Sequence, residues 1–262
     1  MRKPILTLTT DFGSSDHYVG AMKGVILDIC PQAEIVDITH EIPAYEIAEG
    51  AFTVSQAYRY FPKKTIHVVV VDPGVGSARR PILMEAAGHY FVAPDNGVLG
   101  LIYSENKHRV RIISNEFYFR KPVSRTFHGR DIFAPVAAHL ACGTPGARFG
   151  KIIQDYVRPA FEKPQPNGKN SWRGRILKID RFGNCITNFR ECEFPRLSEK
   201  SFSLAIGMAE ICGMANNYSD CKSGALCLIA GSSGYLEVSV NQGSAAKVIG
   251  CQTGSVAELT IW

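Results

Sequence analysis

Residues 68–80 read VVVVDPGVGSARR, four β-branched residues followed by a polar, glycine-rich segment. Such a run is typical of a buried strand that is covered on both faces, and Pro73 and Gly74 predict that the strand ends there. The carboxylate of Asp72 therefore follows a core strand, and the guanidinium of Arg79 follows a glycine-rich turn. Because ligands of open α/β sheets bind at the carboxyl ends of the strands, this segment predicts a chemically active site.

The segments around this strand alternate between strand-like and helix-like patterns, which predicts a mostly parallel α/β sheet in a first domain of residues 1–157. The predicted strands are Ile5–Thr10, Glu34–Asp37, Ile66–Val71 and His89–Ala93. The predicted helices are Gly20–Cys30, Ile47–Tyr60 and Ile132–Leu140.

The composition changes at Arg158–Ser171, a segment rich in proline that we predict to be a linker. Residues 172–262 then show short alternating strands between Gly, Asn and Ser turns, which predicts a small C-terminal antiparallel β-barrel domain. The strands predicted there are Arg173–Ile179, Ser203–Ile206, Ala225–Ala230, Tyr235–Val240, Lys247–Ile249 and Val256–Ile261.

The composition of the 262 residues argues against several functional classes. The formal charge of +5 is mild and the basic residues are scattered, so we expect no nucleic-acid partner. The eight cysteines form no Cys-x-x-Cys pair and no zinc-like spacing, which favours reduced thiols and no metal. The N-terminus has no apolar signal segment and no run approaches the ~20 residues needed to span a bilayer. We therefore expect a cytoplasmic protein with no membrane partner.

Several polar residues in the first half could form a ligand site. Asp11 closes the first predicted strand, where a carboxylate either binds a ribose diol or caps the next helix. Asp16 either shares that pocket or is a surface acid. His128 precedes a glycine in the loop before a predicted helix, and Asp131 is placed as the N-cap of that helix.

The second half offers groups that suit a nucleoside. Phe182 and Tyr218 could sandwich a planar base, and the amide of Asn184 matches an adenine edge, although aromatic residues are more often part of a core. The loop Gly231-Ser232-Ser233-Gly234-Tyr235 either binds a carboxylate through its backbone N–H groups or is only a turn.

Taken together, these segments resemble the S-adenosylmethionine hydroxide adenosyltransferases, which are relatives of the fluorinases and chlorinases. The similarity runs in order along nearly the whole chain, which makes it specific although each motif alone is weak. The segments that carry it are Thr10-Asp11-Phe12-Gly13, Asp72-Pro73-Gly74-Val75-Gly76 with Arg79, Phe127-His128-Gly129-Arg130-Asp131, Phe182-Gly183-Asn184 and Gly231-Ser232-Ser233-Gly234-Tyr235.

The resemblance implies hydrolysis of S-adenosyl-L-methionine to adenosine and L-methionine, by attack of an activated water on the ribose C5′. It implies no cofactor, since S-adenosylmethionine is the substrate, and a homotrimer whose active sites lie between one subunit's first domain and its neighbour's second. The water-activating set falls on Asp72, Arg79 and His128. The substrate contacts fall on Asp11 for the ribose, on Asp16, Asp180, Ser232 and Ser233 for the amino-acid end, and on Phe182, Asn184 and Tyr218 for adenine.

The departures from the halogenating relatives also carry information. Those relatives have Tyr in place of Asp72, Ser in place of Gly129 and a tryptophan against the ribose where this chain has Tyr45. A carboxylate repels a halide and can hydrogen-bond water, so Asp72 favours hydrolysis. Two other functions remain open on the sequence alone. One is a non-catalytic module that binds adenosine or S-adenosylmethionine. The other is a metal-dependent phosphohydrolase with Asp11, Asp72, Asp131 and His128 as ligands.

Overall fold

The computed structural model describes residues 3–159 and 163–262, and the chain divides into two compact units, Met1–Phe161 and Glu162–Trp262. The first two residues of the N-terminus and positions 160–162 of the predicted linker lie outside the described residues. None of the described helices has both the length and the apolar character needed to cross a lipid bilayer.

The first unit is built on a six-stranded sheet with the strand order β2-β1-β3-β5-β4-β6. Strands β1, β2, β3 and β5 are parallel, whereas β4 runs antiparallel to β5 and to β6, which confirms the mostly parallel α/β sheet. The strands are β1 (Ile5–Thr10), β2 (Glu34–Thr39), β3 (Ile66–Val70), β4 (Pro81–Ala86), β5 (His89–Pro94) and β6 (His108–Ile112). The helices are α1 (Tyr18–Ile29), α2 (Ile47–Ala57), α3 (Gly100–Glu105) and α4 (Ala134–Ala141).

The four valines at 68–71 are buried on both faces of this sheet. Val68 and Val70 belong to a hydrophobic cluster with residues of α1 and α4, whereas Val69 and Val71 belong to a second cluster with residues of α2 and α3. Successive side chains of a strand point to opposite faces, so a strand covered on both sides contains an unbroken apolar run. Each valine is at most 2% exposed, and full burial of such a side chain contributes ~1.5–3 kcal/mol.

The second unit contains a nine-stranded sheet that curls as a half-barrel, with β7 attached to β8 beside the path β11-β10-β15-β8-β9-β14-β13-β12. Its strands pair antiparallel except for β12 with β13, so the sheet is mixed and the predicted small antiparallel β-barrel is not confirmed. The strands are β7 (Gln165–Pro166), β8 (Ser171–Ile179), β9 (Cys185–Arg190), β10 (Phe202–Ile206), β11 (Ala209–Ile211), β12 (Met214–Ala215), β13 (Leu226–Ala230), β14 (Tyr235–Val240) and β15 (Val256–Ile261).

Two predictions for the second unit are wrong. The predicted strand Lys247–Ile249 is the end of a short helix, α5 (Ala245–Ile249). The Ser244 hydroxyl accepts a hydrogen bond from the Lys247 N–H at 3.2 Å, and Gly250 ends the helix at φ +71°, as N-caps and C-terminal glycines commonly do. The cysteines are also not all reduced, because Cys221 and Cys227 form a disulfide with their Cα atoms 6.0 Å apart.

Candidate active site

The structure brings Asp72, Arg79 and His128 into one hydrogen-bonded group, which we call the Asp-Arg-His group. The Arg79 Nε donates to Asp72 Oδ1 at 2.9 Å, and its Nη2 donates to Asp72 Oδ2. The same Nη2 donates to His128 Nδ1 at 2.8 Å. The side chains of Arg79 and Asp72 are only 8% and 5% exposed, so this ion pair is weakly screened by solvent.

A close approach at Gly76 joins the two loops that carry this group. Gly76 has φ +78°, and a Cβ placed there would lie 2.2 Å from the backbone oxygen of Arg125. Only a glycine allows the turn after β3 to pack so closely on the segment that precedes His128. The glycine-rich turn seen in the sequence therefore has a structural purpose, namely to bring residues 72 and 128 together.

The hydrogen bond from Arg79 determines the tautomer of His128. Because a guanidinium can only donate, Nδ1 of His128 must be the acceptor, and the proton of the neutral ring lies on Nε2. Burial lowers the pKa of His128, the Arg79 charge lowers it further, and the weaker effects of Asp72 and Asp131 oppose this. His128 is therefore neutral at pH 7 and offers an N–H donor at Nε2.

Asp72 and His128 line a cavity of about 260 Å³ in the first unit, together with Asp11 and Tyr45. Arg79 is not among the described residues that line this cavity. It therefore contacts Asp72 and His128 from the side that faces away from the cavity. Asp11 accepts a hydrogen bond from the Tyr45 backbone N–H at 2.9 Å through Oδ2. Tyr45 has φ +71° and is 71% exposed. Asp16 is exposed and lines neither this cavity nor the one described below.

Asp131 is not a helix N-cap, because it lies inside a π-helical turn, Gly129–Phe133, that precedes α4. Its fully buried carboxylate accepts hydrogen bonds from the Ser124 N–H at 2.8 Å and from Arg130 Nε at 2.7 Å. Burial raises the pKa of Asp131, but the hydrogen bonds from Arg130 and Ser124 outweigh it and hold the pKa below its usual value. Asp131 thus fixes the loop before His128.

This use of Asp131 also bears on the phosphohydrolase alternative. Its oxygens are committed to donors of the protein, so the ligand set of Asp11, Asp72, Asp131 and His128 is not assembled. Within residues 3–159 and 163–262, no group of three or more His, Cys, Asp or Glu side chains is arranged to hold a metal ion.

A second cavity, of about 730 Å³, lies in the C-terminal unit. Six of the residues singled out from the sequence line it: Asp180, Phe182, Asn184, Tyr218, Ser232 and Ser233. Phe182 is 76% exposed and Tyr218 is 48% exposed, so both rings keep free surface instead of packing in the core. Exposed aromatic residues beside a cavity are suited to stacking on a planar ligand.

Asp180 organises the loop at the mouth of β9. Its Oδ1 accepts from the backbone N–H groups of Phe182 and Asn184, each at 2.9 Å, and its Oδ2 accepts from Asn184 Nδ2 at 2.9 Å. This is the hydrogen-bonding pattern by which an aspartate stabilises a turn in its own backbone. The immediate role of Asp180 in this structure is therefore to position Phe182 and Asn184.

The second cavity contains a carboxylate, Glu237 of β14, that the sequence analysis missed. Glu237 is 5% exposed, and its Oε1 accepts a hydrogen bond from the Tyr218 hydroxyl at 2.6 Å. Burial raises the pKa of Glu237, and the negative charge of Asp180 also raises it. The hydrogen bond from Tyr218 lowers the pKa, but not enough to cancel the rise. The pKa of Tyr218 is raised to about 12, and the hydrogen bond to Glu237 is the largest cause and burial the next. The sequence signal that could have revealed Glu237 is a single charged residue in the strand YLEVSV, in which every residue is buried.

Comparisons with known proteins identify the family of both halves of the chain. Residues 6–150 match the SAM hydroxide adenosyltransferase N-terminal domain, and residues 174–258 match the C-terminal domain. A Methanocaldococcus jannaschii protein named (R)-S-adenosyl-L-methionine hydrolase is 38% identical over 94% of this chain and 91% of its own. A fluorinase from an Actinoplanes species is 29% identical over 74% of each chain.

A solved structure shows the same fold. An uncharacterized conserved protein from Thermotoga maritima superposes with a TM-score of 0.91 at 39% identity, covering 98% of this chain and 99% of that one. Both halves of the chain match family domains in sequence order, and relatives of more than 30% identity cover nearly the whole length. The chain therefore belongs to the SAM hydroxide adenosyltransferase family, which is a family of enzymes.

Proposed function

We propose that this chain hydrolyses S-adenosyl-L-methionine to adenosine and L-methionine. The observation that carries the proposal is the Asp-Arg-His group, in which an acid and a neutral histidine share one guanidinium at the edge of a cavity. Relatives from Methanocaldococcus jannaschii and Thermus thermophilus that are named (R)-S-adenosyl-L-methionine hydrolases support it.

The reaction requires little from the leaving group. The oxygen of water forms a bond to the ribose C5′ while the C5′–S bond breaks, and the electron pair of the broken bond moves to sulfur. The sulfonium thereby becomes the neutral thioether of methionine, so no general acid is needed. The enzyme must align the water behind C5′ and accept one proton from it. Alignment alone can contribute ~7–11 kcal/mol when the geometry is good.

We assign the proton acceptor to Asp72. The Nδ1 lone pair of His128 is occupied by Arg79, and its Nε2 carries a hydrogen, so neither nitrogen is free to take a proton. Each oxygen of Asp72 accepts one hydrogen bond from Arg79 and keeps a further lone pair. His128 then orients the water as a donor, and Arg79 holds both partners. General-base assistance of this kind is worth ~10²–10⁴ in rate.

The remaining roles are assigned to the two cavities. Asp11 binds the ribose hydroxyls with Tyr45 as an aromatic surface beside them, and Phe182 and Tyr218 hold adenine with Asn184 at its edge. Asp16, Asp180 and the loop of Ser232 and Ser233 serve the amino-acid end.

We further propose a cytoplasmic homotrimer in which the first unit of one subunit and the second unit of its neighbour complete each site. A measured mass of three chains in solution would support the assembly.

The decisive experiment incubates the purified protein with each sulfonium epimer of S-adenosylmethionine in ¹⁸O-labelled water, with and without chloride. We expect adenosine that carries the label at O5′, and the (R) epimer as the better substrate. Unlabelled adenosine would contradict attack of water at C5′, and 5′-chloro-5′-deoxyadenosine would indicate a halogenase. Binding without turnover would indicate the non-catalytic module. In a parallel assay, hydrolysis of a phosphate ester that is lost with EDTA and restored by a divalent ion would favour the phosphohydrolase.

A further inference from the structure

Two cysteines of the C-terminal unit, which we call the thiol pair, meet in the folded chain although they are 66 residues apart in sequence. Cys185 is the first residue of β9, and its Sγ lies 3.4 Å from the Sγ of Cys251, which follows α5. An S–S bond is ~2.05 Å long, so the sulfurs need to approach by only about 1.4 Å to form one. Neither thiol is among the residues that line the two cavities described above. The thiol pair is therefore a feature separate from the substrate site.

Both sulfurs are carried by backbone that regular structure holds in place. Cys185 pairs with Ile179 of β8 on one side and with Val238 of β14 on the other. Cys251 is attached to the end of α5, because its N–H donates to the Ala246 oxygen at 3.2 Å. Groups that are held together in this way react with each other far more readily than with a separate molecule.

The two thiols differ in their exposure to reagents. Cys185 is fully buried, whereas Cys251 is partly exposed. Burial, followed by the contact with Cys251, raises the pKa of Cys185, so this sulfur stays protonated at neutral pH. Because the thiolate is the form that attacks, a reagent from solution reacts first at Cys251. Cys185 then acts as the resolving thiol, which loses its proton only when it attacks its neighbour.

Helix α5 also packs on the loop of residues 180–184, which carries Phe182 on the wall of the second cavity. The Ala246 N–H donates to the Gly183 oxygen at 3.0 Å. A Cβ added at Gly183 would lie 2.1 Å from the Oγ of Ser244, the N-cap residue of α5. A bond within the thiol pair would therefore fix this wall of the cavity against the helix.

We propose that the thiol pair is a redox modification site, at which a low-molecular-weight disulfide converts Cys185 and Cys251 into a disulfide that fixes α5 against the loop of residues 180–184. The Cys251 thiolate attacks one sulfur of the reagent, whose S–S bond breaks, and one reagent thiolate leaves with the electron pair. Cys185 then loses its proton and attacks the Cys251 sulfur, and the second reagent thiolate leaves. The two cysteines lose two electrons and two protons, and the reagent is reduced to two thiols.

The disulfide should change both stability and binding. A cross-link over a sequence separation of 66 residues restricts the unfolded chain, so it should raise the urea midpoint by about 1 M or more. A loop that is fixed before the ligand arrives loses less freedom on binding, so adenosine should bind about two- to fivefold more tightly. Only the choice of adenosine as the ligand rests on the proposed function.

The test incubates the purified protein with oxidised glutathione or with reduced glutathione, alkylates the remaining free thiols and maps the peptides by mass spectrometry. We expect a cross-linked peptide of Cys185 and Cys251 in oxidised glutathione and not in reduced glutathione. In Cys185→Ala, which has no resolving thiol, a mixed disulfide with glutathione should accumulate at Cys251. Absence of the cross-link in oxidised glutathione would overturn the proposal, and absence of glutathione from Cys251 in the variant would overturn the order of attack.

Stability and binding are compared between wild type and two variants that both keep the disulfide of Cys221 and Cys227. Cys251→Ser removes the thiol that is attacked, and Cys212→Ser, the matched control, removes an exposed thiol of the same unit. Oxidation should raise the urea midpoint and the affinity for adenosine in wild type and in Cys212→Ser, but not in Cys251→Ser. An equal response in Cys251→Ser would overturn the proposal.

The remaining outcomes separate this proposal from the proposed function. Unchanged or weaker binding of adenosine by the cross-linked protein would overturn the link between the disulfide and the loop of residues 180–184. Formation of adenosine from S-adenosylmethionine is assayed in parallel. Its absence would contradict the proposed function, whereas the peptide map and the urea midpoints would still decide whether the thiol pair is modified.

Discussion

Replacing Asp72 with asparagine separates the chemical role of the Asp-Arg-His group from its structural role. Asparagine has nearly the same shape but cannot accept a proton, so we expect kcat to fall by ~10²–10⁴, the usual worth of a general base. The affinity for S-adenosylhomocysteine should stay within about threefold of wild type, because that ligand has no attacking water. The loss should therefore appear in kcat and not in binding.

The stability of the same variant can be predicted from the burial of Arg79. Its side chain is 8% exposed and pairs with Asp72 through two hydrogen bonds. Removing one partner of a buried ion pair costs ~3–5 kcal/mol, and asparagine, which retains one acceptor, should cost somewhat less. The double variant Asp72→Asn/Arg79→Met removes both charges, so we expect it to regain most of that stability while activity stays lost.

The assays are single-turnover adenosine formation, followed by chromatography, and urea unfolding of each variant. Asp155→Asn is the matched control, because its carboxylate pairs with Arg80 at 3.0 Å but is 77% exposed. Exposed ion pairs contribute ~0–1 kcal/mol, so this variant should remain stable and active. Wild-type kcat in Asp72→Asn would refute the assignment of the base. Restored activity in the double variant would refute the role of the whole group.

Two further predictions concern the first unit. Gly76→Ala should lower kcat/KM at least tenfold, because the new Cβ would lie 2.2 Å from the Arg125 oxygen at φ +78°; Gly74→Ala, whose Cβ meets only side chains at 3.3 Å or more, should be milder in the same kinetic assay. His67 is fully buried, and burial, then the charge of His89, lowers its pKa to about 3. The unfolded chain therefore binds its proton first as the pH falls below ~6.5, so folding should lose ~2 kcal/mol between pH 7 and pH 5 through this residue. His67→Asn should abolish that part of the pH dependence of the urea midpoint, and an unchanged dependence would contradict the assignment.

The central strands could be predicted because their burial on both faces is recorded in the residues themselves. Strands β1 and β14, which are almost wholly buried, were predicted with the bounds that the structure has, and so was β15, whose buried and less buried residues alternate over part of its length. Strand β4 was missed, since PILMEA combines a proline with good helix formers and becomes a strand only by pairing with β5 and β6. Helix α5 was mistaken for a strand because the three residues 247–249 have no period, whereas the signals at Ser244 and Gly250 lie outside them.

The candidate site was predictable where one residue lies at the end of a regular element. Asp72 and Asp180 follow β3 and β8, so their placement beside a cavity follows from the ends of the strands. The hydrogen-bond partners of such carboxylates were harder to predict. A carboxylate at a turn can accept hydrogen bonds from nearby backbone N–H groups, as Asp180 and Asp131 do. Glu237 was missed because its significance depends on the hydrogen bond that it accepts from Tyr218. That contact exists only in the folded unit and cannot be read from the sequence.

On the roles proposed for its residues, the charge of the Asp-Arg-His group should favour water over a halide. Asp72 carries one negative charge, Arg79 carries one positive charge, and the lowered pKa of His128 keeps its ring neutral, so the three sum to zero. An anion entering the cavity meets the Asp72 carboxylate, while the guanidinium that could attract it lies outside the lining and is already paired. At ~4 Å and an effective dielectric constant of ~20, repulsion between two unit charges is ~4 kcal/mol. A neutral water avoids this repulsion and gains an acceptor and a donor from Asp72 and His128.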